Sequence, residues 1–114
     1  MKRNMKSFAR AVYGGNSDDA EEYSDKVVQG NMDDEVWEGY KRALEGVLES
    51  MNSDNDLTLP RQMSEGKISV EKLEKIRDEM EEMASQEFRP GEERGYSKAW
   101  TDIISVILED EKSD

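Results

Sequence analysis

Two stretches of this sequence, 36–51 and 96–108, repeat their apolar residues every three or four positions. A helix is the regular structure that gathers such residues onto one side. In the first stretch Val36, Trp37, Tyr40, Ala43, Leu44, Val47, Leu48 and Met51 stay in phase. In the second, Tyr96, Ala99, Trp100, Ile103, Ile104 and Ile107 do so, and Val106 and Leu108 widen the arc. The two also match residue by residue. Gly39, Tyr40 and Ala43 correspond to Gly95, Tyr96 and Ala99 at an offset of 56, and Arg42 corresponds to Lys98. Duplication of a helical hairpin would produce this match, and so would the chance alignment of two amphipathic helices. Either way, a glycine beside a core tyrosine lets another backbone come close, at about 1 kcal/mol of helix propensity relative to alanine. Gly39 and Gly95 are therefore expected at helix contacts.

Weaker periods fill in the rest. Met5, Phe8, Ala9, Val12 and Tyr13 form one face of a short basic helix that Gly14 and Gly15 stop. Ser17 is the expected N-cap of a second helix, with Asp18, Asp19, Glu21 and Glu22 near its positive end and a stripe of Ala20, Tyr23, Val27 and Val28 running to Gly30. Asp33 caps the long helix that follows. From Asn52 to Lys67 turn residues break the pattern, with Leu57, Leu59 and Met63 expected to tack the loop to the core. Ser69 caps a methionine-rich helix through Leu73, Ile76, Met80 and Met83, and Pro90-Gly91 punctuate before the last one. No strand pattern survives. The expectation is an all-α fold, one helical domain over 1–114: a basic helix at 1–13, a hairpin at 17–51, a linker loop at 52–68, a second hairpin at 69–108, and an acidic tail at 109–114 frayed into solvent.

Composition then limits the chemistry. Cysteine and histidine are both absent, which removes disulfides, Cys/His zinc sites, histidine haem ligation and histidine-based catalysis. The net charge is -12, so direct contact with nucleic acid or an anionic membrane is disfavoured. Leu, Ile, Val and Phe together number only 20 of 114, a fraction that beside such charge marks many disordered chains; the phased clustering argues for a fold. No run reaches the roughly 18 apolar residues of a membrane span, and the N-terminus lacks a secretory pattern, so a cytoplasmic location is expected.

Carboxylates are the abundant reactive groups, yet most fall on polar helix faces or in caps. Glu45 and Asp102, beside wide apolar arcs, come closest to a desolvated acid, and a rim position accounts for both. Asn52, Asp54 and Asp56 begin like a calcium loop, but Leu57 stands where the sharp turn needs glycine and Met63 where a bidentate glutamate should close the site. No catalytic residue, metal site or cofactor is expected.

The charge pattern points instead to a partner. The N-terminal segment is basic, through Lys2, Arg3, Lys6 and Arg10, and is expected to pack back on the acidic body. Asp18, Asp19, Glu21, Glu22, Asp33, Asp34, Glu81 and Glu82 fall in clusters whose charges lie several Å apart, comparable with phosphate spacing. The functional expectation is a non-enzymatic protein–protein interaction module that binds a basic, nucleic-acid-binding protein through these acids, as a nucleic-acid-mimic inhibitor would. The alternative is an adaptor or homodimer joined through the aromatic helix faces of Trp37, Tyr40, Tyr96 and Trp100. Met80, Met83 and Met63 are further candidates for an adaptable groove.

Overall fold

The computed structural model describes residues 3–55 and 57–112. Among them every regular element is a helix: α1 (Arg3–Tyr13), α2 (Ser17–Ser24), α3 (Asp34–Met51), α4 (Leu59–Ser64), α5 (Val70–Ser85) and α6 (Gly91–Lys112). The all-α expectation holds, with six helices in place of four main ones plus a short one.

α6 is the spine. Ala99, Trp100, Ile103, Ile104, Val106, Ile107 and Leu108 are all buried, and α1, α3 and α5 each pack against it. Buried residues on both sides of a helix mean that it runs through the core instead of lying on it. α5 and α6 form the expected antiparallel hairpin. The Ser97 hydroxyl lies 3.9 Å from Met83 Sδ near the turn, and Lys112 pairs with Glu74 at 2.9 Å at the far end.

The first hairpin does not form as expected, because α2 packs chiefly on α1 and only lightly on α3. α2 also ends at Ser24, well before Gly30. Ser24 and Asp25 are weak helix formers and Val27 and Val28 are β-branched, so little holds the helical backbone there. The Asn4 amide instead donates to the Lys26 carbonyl at 3.0 Å, and the Gln29 amide to the Met32 carbonyl at 2.8 Å, fixing an irregular loop over 25–33. The N-cap of α2 is Asn16, one residue before Ser17, with its side chain accepting from the Asp19 amide at 3.0 Å.

Three further expectations change. The segment read as a linker contains α4, with Thr58 as N-cap and Pro60 in the first turn, where its fixed φ suits a helix start. It is tacked down by Met63 and Pro60, both buried, whereas Leu57 is 79% exposed. The acidic tail does not fray through Lys112: α6 continues, Arg10 reaches Asp110 with Nε at 3.0 Å and Nη2 at 3.2 Å, and the Tyr13 hydroxyl donates to Glu111. Asp56 of the calcium-like run lies outside the described residues. The basic helix docks as expected, with Met5, Phe8, Ala9 and Val12 buried.

Gly39 and Gly95 do stand at a helix contact, and the contact is reciprocal. A Cβ on Gly39 would lie 1.9 Å from the carbonyl oxygen of Glu92; one on Gly95 would lie 1.8 Å from that of Val36. Residue 92 is 36 plus 56, so each glycine receives the counterpart of the carbonyl received by the other. Gly91 joins them, since its Cβ would meet Glu35 Cβ at 2.7 Å. The repeat seen in sequence thus coincides with a near-symmetric crossing of α3 and α6. It does not extend to the preceding helices, because α5 lies along α6 while α2 has moved to α1.

Candidate functional site

The eight candidate acids are all exposed. Asp18, Asp19, Glu21 and Glu22 lie on α2, and Asp33 and Asp34 stand at the start of α3, where the Gln29 amide donates to Asp34 at 2.9 Å. Glu81 and Glu82 sit apart on α5, which packs against α6. The structure therefore does not gather all eight into one element cluster. Arg10, Lys41, Arg42, Arg77, Arg89 and Lys112 pair with Asp110, Glu38, Glu92, Asp78, Glu93 and Glu74. Of the eight, only Glu22 has an ion pair among the described residues, with Lys26 at 3.3 Å.

The aromatic alternative is largely absorbed by the core. Tyr40 and Trp100 are buried, Trp37 is half-buried and stacks on Tyr40 with centroids 6.0 Å apart, and only Tyr96 stays open, at 42% exposure. Helical phase accounts for Tyr40, Trp37 and Trp100, which lie on the covered arcs of the two long helices, whereas Tyr96 stands at the open edge of its arc. The methionine groove is partly realised. Met80, Met83 and Tyr96 line a cavity of about 420 Å³ between α3, α5 and α6, while Met63 lies in the core.

A larger cavity, about 500 Å³, opens between α1, the 25–33 loop, α3 and α6. Met5, Val27, Val28 and Met32 supply apolar wall, and Tyr40, Lys98 and Asp102 supply the polar groups on the helices. The Tyr40 hydroxyl donates to Asp102 Oδ2 at 2.8 Å. Sequence reading placed Asp102 on a helix rim and missed this pairing. The available signal was its position six residues after Tyr96, on the flank of a core arc, which says nothing about a tyrosine 62 residues away. Glu45, its companion in that reading, is exposed. Among the described residues no group of three or more acids is arranged to hold a metal ion.

Burial, and then the neighbouring Asp102 carboxylate, pushes the Tyr40 hydroxyl far above the usual tyrosine range. Below pH of about 10 both folded and unfolded states keep this proton; above it the unfolded chain releases the proton and the folded one does not, so stability should fall as pH rises. The 295 nm absorbance titration of the native protein should accordingly show one tyrosine that ionises only on unfolding. Tyr40→Phe should remove it and flatten the alkaline loss of stability relative to the parent. An unchanged alkaline profile in that variant would contradict the assignment.

Comparison of the chain with protein-family models, with curated proteins and with solved structures finds no match. No described helix is long and apolar enough to cross a membrane.

Proposed function

We propose that this protein is a non-enzymatic binding module whose exposed acids engage a basic partner protein, in the sharper form a nucleic-acid-binding protein whose cationic groove they occupy. The observation that supports the reading is the lack of internal compensation: seven of the eight candidate acids have no ion pair among the described residues, while Arg10, Arg42 and Lys112 pair with acids elsewhere. Uncompensated like charge costs stability, and a cationic surface would relieve that cost. The α2 acids are the main contact, with Asp33 and Asp34 on α3 and Glu81 and Glu82 on α5 as further ones.

Self-association through the long aromatic helices is the weaker reading, because the arc from Ala99 to Leu108 is already covered by α1, α3 and α5.

The test is retention of a basic protein from nuclease-treated native extract, followed by titration of the purified pair. Affinity should fall at least roughly tenfold between low salt and about 0.5 M salt, because screening shortens the reach of exposed charges. Reversing Asp18, Asp19, Glu21 and Glu22 to lysine should weaken binding by at least about tenfold, whereas Glu49→Lys with Glu109→Lys should change it little. Asp110 and Glu111 are unsuitable controls because they hold α1. Binding indifferent to salt, or equally sensitive to both sets, would reject the proposal.

A further inference from the structure

The cavity beneath the 25–33 loop has chemistry distinct from that of the acidic surface. Tyr40 keeps its proton and donates it to Asp102 Oδ2 at 2.8 Å. No described donor takes Asp102 Oδ1, and Lys98, one turn earlier on α6 and lining the same cavity, makes no ion pair with it. With the Tyr40 proton already committed, the Tyr40–Asp102 pair offers the cavity acceptors and a negative charge. A half-buried carboxylate with one hydrogen bond is best complemented by a cationic donor. Around it, Met5, Val28 and Met32 offer apolar wall, and the volume of about 500 Å³ lies within the range of small-ligand sites.

We propose that this cavity binds a small amphipathic amine, its ammonium group on Asp102 and its hydrocarbon body against Met5, Val28 and Met32. Tyr40 acts as a positioning residue, fixing the Asp102 rotamer. Lys98 is exposed, and its flexible stem lets its own ammonium move aside into water.

The probe is 4-phenylbutylamine, titrated calorimetrically into the full chain beside the neutral 4-phenylbutanol, the anionic 4-phenylbutyrate and the tail-less methylamine. Saturable one-to-one binding of the amine is expected, at least about tenfold tighter than any of the three, since loss of a charged partner in a sheltered site is worth at least this factor. Asp102→Asn should bring amine and alcohol to equal affinity, Lys98→Met should tighten the amine, and charge reversal on α2 should leave the preference intact. Should Asp102→Asn fail to fold, Val28→Trp provides a second variant: Val28 is 54% exposed on the loop, and the larger ring would fill the cavity and abolish binding. Absence of saturable binding, equal affinity for the alcohol or the acid, or a preference that survives either variant would overturn the proposal. So would tighter binding of N-acetyl-lysine methylamide than of the probe, because the site would then be built for a protein side chain.

Discussion

Gly95→Ala is expected to be the most damaging single-methyl change available in this protein. In an isolated helix the same substitution stabilises by about 1 kcal/mol. At Gly95, however, the new carbon would lie 1.8 Å from the Val36 carbonyl oxygen and 2.9 Å from the Tyr40 backbone nitrogen. Both are main-chain atoms of α3, so no rotamer change relieves the overlap. α3 and α6 would have to part, and the side chains packed between them would lose contact. A cost of about 3 kcal/mol or more follows, which for a chain of this size lowers the melting temperature by roughly 12 °C. Gly39→Ala should behave alike, since its Cβ would strike the Glu92 carbonyl oxygen at 1.9 Å. The double variant should cost much less than the sum, because helices already separated by the first methyl accept the second. Gly46, on the same helix as Gly39, has nothing within 4 Å of its would-be Cβ, and Gly46→Ala should raise stability by about 0.5–1 kcal/mol. Urea denaturation of the four variants checks the set. A Gly95→Ala midpoint at or above that of Gly46→Ala would mean that the two backbones do not meet.

That crossing was legible because it leaves a mark on sequence: a glycine retained inside a strong helical period, where propensity alone disfavours it, points to close approach of another chain segment. The long helices were legible for the same kind of reason, each carrying a wide phased arc. α4 was not. Its six residues make fewer than two turns, and the proline and polar residues around it resemble turn chemistry until Met63 is known to be buried. The end of α2 was misjudged because Val27 and Val28 continue the helical phase, while the hydrogen bonds that capture the loop come from Asn4 and Gln29, one of them 22 residues away. The tail was misjudged because Asp110 and Glu111 look solvated until α1 brings Arg10 and Tyr13 to them. The Tyr40–Asp102 pair belongs to the same class. Local periodicity reports which face of a helix is apolar and says little about which distant polar group meets its edge.

The second large effect is expected from Phe8→Ala, and it tests whether α1 is a platform or an appendage. Phe8 is fully buried, with Met5, Ala9 and Val12 beside it, and α1 packs against α2, α4 and α6. Truncating a buried phenylalanine costs about 3–5 kcal/mol, a large share of the 5–15 kcal/mol that holds an ordinary domain together. α2 and α4 have only eight and six residues and cannot persist as isolated helices, so loosening α1 should release them with it. Amide exchange in Phe8→Ala should therefore quicken together in α1, α2 and α4, ahead of the α3–α6 crossing. Protection retained in α2 and α4 while α1 exchanges freely would show that they depend on α3 instead. Salt separates the two components of docking. The Arg10–Asp110 pair is exposed, so the loss from Arg10→Ala should be the smaller of the two and should shrink toward zero in 1 M salt, whereas the Phe8→Ala loss should persist. A Phe8→Ala defect repaired by salt would mean that charge, and not the buried face, holds the basic helix on the acidic body.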